Sequence, residues 1–252
     1  MVAVAVAGAA LPITVFPACV ARSGPKTAAL VELYTSEGCS SCPPADAQLS
    51  RLRQTLDSAA EVVPLALHVN YWDYIGWKDV YAQIAFGERQ SWLVHANQER
   101  TVYTPQFFVG GTDLRSRQGR LSEQVKQLNA QPATAAIRIT AEPTTNGTLK
   151  LSAEATTPAA SVPASLYLAV TENGLVSKVT RGENSGATLA HDHVVRIWIG
   201  PIRLKEGAAK VQRYVALPAN WIRSQLDVIA FVQEEPSGKV LQALRAMKCA
   251  GS

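Results

Sequence analysis

Apolar residues along the chain fall into two regimes. Residues 28–35 and 61–69 are near-continuous apolar runs, the pattern of strands buried on both faces of a mostly parallel sheet. Between them Ala45, Leu49, Leu52 and Leu56 recur at helical spacing, which predicts a strand-helix-strand unit. An aromatic loop follows, Asn70-Tyr71-Trp72-Asp73-Tyr74-Ile75-Gly76-Trp77, and residues 80–99 read as one or two helices. After Pro105 come a strand to Val109, a Gly110-Gly111 turn, a polar return through Arg115 to Gln118, and a helix around Leu121 to Leu128. The predicted order is β-α-β-α-β-β-α.

From Ala133 onward the chain turns to Thr, Val and Ala with turn residues at short intervals. Strands are predicted at 135–142, 148–156, 164–171, 193–199, 210–217, 226–234 and 239–246, separated by signals such as Asn146-Gly147, Asn173-Gly174 and Ser237-Gly238. Regularly spaced strands without intervening helices predict a β-sandwich. The expected fold class is therefore an α/β domain over residues 26–131 and an all-β sandwich-like domain over 133–252, divided near Gln131-Pro132.

Length and composition agree with two folded units: 252 residues, 47% apolar and 17% charged. The net charge of +4 arises from 24 basic and 20 acidic residues without a long basic block, which argues against nucleic-acid binding and against a polybasic membrane patch. Met1 to Ala21 carries no charge and suits a secretory signal peptide cut after Ala21. It lacks a basic leading region, so an N-terminal membrane anchor is the alternative. A periplasmic or secreted protein is expected. Four cysteines are present, and removing residues 1–21 would take Cys19 and leave Cys39, Cys42 and an odd Cys249.

The chemistry concentrates at Cys39-Ser40-Ser41-Cys42, a CxxC at the passage from strand to helix. The first thiol then sits near unpaired N–H groups that favour a thiolate, and Cys39 is expected to be the exposed, acidified nucleophile with Cys42 more buried and resolving. Pro43 and Pro44 fit only a first helical turn, which fixes the helix start at about residues 40–43. A metal half-site or an inert pair are the other readings, and no second CxxC or His-x-x-x-His supplies further zinc ligands. Thr104-Pro105 precedes a strand, and a cis Pro105 facing the thiols is expected in preference to a trans proline opening an edge strand. Glu32, on the strand leading to the CxxC, is a candidate proton shuttle beneath Cys42, with a solvated strand-end carboxylate as the alternative. His68 is placed to line the cleft, and Trp72 and Trp77 to pack as an aromatic cluster. His191-Asp192-His193 has metal-binding spacing but lacks nearby ligands, so a hydrogen-bonded loop is preferred.

Glu32 to Asp46 as a whole, then Ala66 to Asp79, Tyr103-Thr104-Pro105-Gln106, Arg181-Gly182-Glu183-Asn184 and His191 to Arg196 resemble the secreted bacterial proteins grouped as domain of unknown function 1223. The resemblance covers nearly the whole chain. It implies a thioredoxin-like first domain and a redox role for Cys39 and Cys42, with Ser40-Ser41 departing from the Gly-Pro and Pro-His pairs of thioredoxin and of the periplasmic oxidant. The expected function is that of an exported thiol-disulfide oxidoreductase acting on protein thiols or disulfides, without a cofactor. The alternatives are a redox-dependent binding or copper-delivery module and an envelope protein whose CxxC is a structural disulfide.

Overall fold

The computed structural model describes residues 18–115, 120–144, 146–158 and 162–249. Most of the expected signal peptide and of the polar return before Gln118 lies outside them. The first half contains β1 (Cys19–Arg22), β2 (Ala29–Thr35), α1 (Pro43–Ser50), α2 (Leu52–Thr55), β3 (Val62–His68), α3 (Ile84–Ala96), β4 (Gln106–Val109), β5 (Thr112–Asp113) and α4 (Leu121–Asn129). The second half is built from β6 (Ala136–Pro143), β7 (Thr148–Thr156), β8 (Ala164–Glu172), β9 (Leu175–Lys178), β10 (Thr188–His191), β11 (Val194–Arg203), β12 (Ala208–Ala216), β13 (Leu226–Glu234) and β14 (Val240–Ala246).

The two halves do not form an α/β thioredoxin-like domain followed by a β-sandwich. The molecule is mostly β, and its largest sheet draws on both halves in the order β14-β13-β8-β11-β3-β2-β4-β5. The physical reason lies in β3. All seven of its residues are buried, so its free edge cannot be left to water, and β11 covers that edge in parallel with Val194 opposite Ala66. The Ala66 N–H donates to the His193 carbonyl at 2.8 Å. A second sheet, β1-β6-β7-β12, packs across part of the large one, and β9 pairs with β10 as a separate hairpin.

Strand alternation then distributes the core. Leu166, Leu168, Val170, Val228, Ala230 and Val232 meet Ile137, Ile139, Leu149 and Leu151 of the smaller sheet. The opposite faces of the same strands, with Tyr167, Ala169, Ile229 and Phe231, pack on Phe86 and Leu93 of α3. Val31 and Leu33 of β2 pack beneath Ala45 and Leu49 of α1. The large sheet curls until its ends approach: the Val240 N–H donates to the Gly110 carbonyl at 3.0 Å, and the Ala28 N–H to Gln242 Oε1 at 2.8 Å.

Cys19 on β1 is disulfide-bonded to Cys249, with Cα atoms 5.4 Å apart across 230 residues. All four residues of β1 pair with β6, so a cut after Ala21 would divide this strand and remove Cys19.

At the curl, a Cβ on Gly111 would lie 1.7 Å from the Gly238 carbonyl oxygen, and Gly111 has φ +88°. Gly76 has φ +94° with nothing within 4 Å of its Cβ position. Denaturant unfolding should therefore show Gly76→Ala losing about 1–2 kcal/mol, the left-handed backbone cost alone, and Gly111→Ala losing distinctly more. Equal losses would contradict the close approach of the two turns.

Candidate functional site

The strand β2 ends at Thr35 and a tight turn brings in the CxxC. The Gly38 N–H donates to Ser36 Oγ at 3.1 Å and the Cys39 N–H to the Ser36 carbonyl at 3.2 Å. Pro43 and Pro44 occupy the opening positions of α1, where no helical acceptor awaits their missing N–H groups, and Cys42 is the cap residue. Cys39 and Cys42 form a disulfide with Cα atoms 5.4 Å apart. Both residues are fully buried, whereas Ser40 and Ser41 are exposed. The expected contrast between an exposed Cys39 and a buried Cys42 is thus absent in the oxidised protein.

Part of the cover over this turn comes from the far half of the chain, alongside Trp72 and Ile75 against Gly38. Asn184, in the loop joining β9 to β10, donates its amide to the carbonyls of Glu37 at 2.8 Å and Cys39 at 3.0 Å. Glu183 accepts the Ser40 N–H at 2.9 Å. Gly182 completes the fit, since a Cβ there would meet Ile75 Cδ1 at 2.9 Å. The Arg181-Gly182-Glu183-Asn184 motif is therefore a latch over the CxxC turn.

Next to the disulfide lies a buried polar cluster drawn from five segments. His68 Nδ1 and Asp79 Oδ2 are 2.7 Å apart, and the same oxygen accepts the Glu37 N–H at 2.9 Å. Glu37 Oε2 accepts from Trp77 Nε1 at 2.8 Å, and Glu37 Oε1 lies 3.2 Å from His191 Nε2. Burial opposes the charges of Asp79 and Glu37, but His68 outweighs it at the first and His191, Ser177 and Trp77 at the second, so both carboxyls are held below their ordinary range. Burial likewise opposes a charged His68, and Asp79 prevails to raise it.

Asp46 behaves differently. It sits one helical turn after Cys42, whose carbonyl accepts its N–H at 3.0 Å, and burial pushes its carboxyl up. Asp46 Oδ1, His68 Nε2, His191 Nδ1 and the Thr35 hydroxyl are all buried without a hydrogen-bond partner. The His191 Nδ1 lies 4.0 Å from Asp46 Oδ2. Such groups are costly to leave unpaired, and they gather on the α1 side of the sheet, where Thr35 is the neighbour that bears on Asp46. Among the described residues no three His, Cys, Asp or Glu side chains are placed to hold a metal ion together.

The remaining candidates separate. The Thr104-Pro105 bond is cis, and the Thr104 hydroxyl accepts from Trp72 Nε1 at 2.7 Å while the Trp72 Cβ lies 3.0 Å from the position of a Cβ on Gly38. Trp72 thus ties that loop to the CxxC turn. Glu32 does not serve Cys42. Strand parity turns it to the α3 side of the sheet, where Arg89 Nε and Nη2 bind its carboxylate at 2.7 and 3.1 Å and Tyr34 donates at 3.3 Å. The two histidines of His191-Asp192-His193 part company, because His193 lies between strands at φ +59°, with its ring held neutral by burial and its pKa lowered to about 4. Glu37, Asp46, Asp79 and Asn184 lie inside motifs noted in the sequence, which gave them no individual role. The one usable signal was the four-residue spacing of Asp46 from Cys42.

These features define a mostly β protein in which a CxxC at a helix start is covered by a hairpin loop from the distal half. The chain belongs to the family described as Protein of unknown function (DUF1223), which matches residues 30–233. No curated protein matches the sequence. A crystal structure of a protein from Agrobacterium tumefaciens is similar at 22% identity, covering 90% of this chain and 96% of that one with a TM-score of 0.59. HBP35 of Porphyromonas gingivalis is similar at 17% identity, covering 90% of this chain and 77% of that one with a TM-score of 0.68. At these identities the likeness is one of fold.

Two outcomes follow from the latch and the cluster. Asn184→Ala removes both hydrogen bonds to the turn, and reduction of Cys39–Cys42 by dithiothreitol should accelerate by roughly tenfold, the equivalent of about 1.4 kcal/mol and within the worth of two buried hydrogen bonds. An unchanged rate would show that the latch does not control access. The raised His68 contributes stability below about pH 6.5 that is lost as pH climbs through its folded value, and the lowered Asp79 contributes above about pH 4 that is lost as pH falls through its own. Denaturant unfolding across pH should show both losses in the native protein and neither from this pair in Asp79→Asn.

Proposed function

We propose that the protein is an exported thiol-disulfide oxidoreductase whose working pair is Cys39 and Cys42 and whose partners are protein thiols or disulfides. One observation carries the reading: the two disulfides differ in what they can do for the fold. Cross-linking residues three apart restrains the unfolded chain by only roughly 2 kcal/mol, whereas a link across 230 residues restrains it by roughly 5 kcal/mol. Cys19–Cys249 has the span of a structural bond. Cys39–Cys42 has little structural purpose, yet it is furnished with a latch and a buried proton-holding cluster.

Both bonds suit an oxidising compartment, which supports export to the periplasm or beyond. Among the described residues no helix is long and apolar enough to cross a membrane.

In the reducing direction for the protein, the loop carrying Asn184 lifts from the turn and a partner thiolate attacks Cys39 Sγ. The S–S bond breaks, its electron pair leaves on Cys42 Sγ, and Asp46 supplies the proton that sulfur takes up. A second partner thiolate then attacks the mixed disulfide. It leaves as partner disulfide, and Cys39 departs with the electron pair and is protonated from solvent. Two electrons pass to the protein and two partner thiols are oxidised. The loop at Thr104-Pro105, tied to the turn through Trp72, is the side along which the partner chain lies.

The roles are separable by single substitutions. Cys42→Ser should accumulate a long-lived mixed disulfide with glutathione at Cys39, and Cys39→Ser should accumulate far less at Cys42, as read by mass spectrometry. Capture at neither cysteine would overturn the reading, and equal capture would overturn the assignment of attack to Cys39.

A further inference from the structure

On the opposite side of the large sheet from α1 lies a cavity of about 580 Å³ that the dithiol chemistry does not use. Its volume falls in the range of small-molecule sites. Trp92 of α3, Tyr167 of β8 and Trp198 of β11 line it, with Arg89 also in its wall. The Arg89 guanidinium lies 5.7, 5.0 and 5.0 Å from the ring centroids of those three residues and 5.1 Å from that of Phe231.

This arginine is built in rather than draped over the surface. Its side chain is 5% exposed, and Glu32, fully buried, takes Nε and Nη2. Gln233 Oε1 accepts a further bond from Nη2 at 2.9 Å. Burial works against its charge, and Glu32 prevails and raises its pKa. Nη1 is the nitrogen that neither Glu32 nor Gln233 engages, and the guanidinium lies in the cavity wall beside the Tyr167 hydroxyl, with which it also interacts.

The opposite wall is shaped for the same end. The pairing of β11 with β8 slips between Ile199 and Ile202, a bulge of the kind that re-aims side chains beside sites. Gly200 there has φ +132°, and a Cβ on it would lie 2.8 Å from Tyr167 Cδ1. Only glycine lets this wall close on Tyr167.

We infer that this cavity binds a small, neutral, planar aromatic compound bearing a carbonyl or amide oxygen, lying against the cavity side of Trp92 and Trp198 with its oxygen accepting from Arg89 Nη1. Tyr167 is already stacked on Phe231 at 4.8 Å, so Trp92 and Trp198 supply the ring surface and the fixed guanidinium supplies the donor. Charge decides against an anion. Glu32 neutralises Arg89, Glu235 pairs with Arg203 at the rim, and Glu88 adds a further negative charge there. Glu32 is then a positioning residue for Arg89.

The test uses the full-length oxidised protein and three probes of one ring system: naphthalene-2-carboxamide, 2-naphthoate and naphthalene. Tryptophan indole N–H resonances, assigned with Trp→Phe variants, report the site. The amide should bind with shifts at Trp92 and Trp198 and not at Trp72 or Trp77. Naphthalene and 2-naphthoate should each bind about tenfold more weakly, and Arg89→Lys should weaken the amide by about tenfold because an ammonium cannot reproduce the planar donor set. No binding of the amide, shifts only at Trp72 and Trp77, tighter binding of the naphthoate, or an amide affinity indifferent to Arg89→Lys would each overturn the inference. Should Arg89→Lys fail to fold, Trp92→Ala takes its place: a loss of about tenfold for the amide supports the site and an unchanged affinity overturns it.

Discussion

The parallel seam between β3 and β11 is short, with Val194 opposite Ala66 and one backbone bond from Ala66 to His193, yet the CxxC site depends on it. By covering the edge of β3, β11 carries the preceding β9–β10 hairpin to the helix start of α1. That delivery places His191 against Glu37 and hangs Asn184 and Glu183 on the CxxC turn. Without the seam the dithiol would sit in an open turn beside half a polar cluster. The fold is thus the means by which residues about 145 positions apart share one site.

The same sheet keeps its two faces chemically distinct. On the α1 side, Thr35 joins Asp46, His68 and His191 in a cluster with unmet hydrogen-bonding capacity. On the α3 side, Glu32 and Gln233 spend their capacity on Arg89, and aromatic rings close around it. Thr35 and Glu32 are three residues apart on one strand, so the odd step of the pleat alone sends them to opposite sides. One side holds buried carboxyls and imidazoles, the other a fixed cation among aromatic rings.

Local pattern in the sequence carried far. The strands β7 and β13 fall where apolar pattern and turn signals put them, β7 with period-two burial and β13 as a continuous buried run, because such patterns and Asn-Gly or Ser-Gly turns are properties of neighbouring residues. From β2 to α4 the strand-helix order was legible for the same reason, whereas β1 reads as leader sequence. Partner choice was not. Nothing near Val194 says that it will lie beside Ala66, and that pairing is what replaces two separate folds by one shared sheet. Glu32 shows the same limit, since the apolar run gave its strand but not Arg89, 57 residues away. Cys19 looked like part of a leader because its partner lies at the other end of the chain.

The central claim is that the two disulfides have different work, Cys19–Cys249 tying β1 to the segment after β14 and Cys39–Cys42 exchanging electrons. Equilibrating the folded protein in graded mixtures of reduced and oxidised glutathione, followed by acid quench, alkylation and peptide mapping, reads each bond separately. The account predicts that Cys39–Cys42 titrates within the glutathione range while Cys19–Cys249 stays oxidised and the protein stays folded. If Cys39–Cys42 resists until the protein unfolds, or opens only together with Cys19–Cys249, both bonds are structural and the account is contradicted.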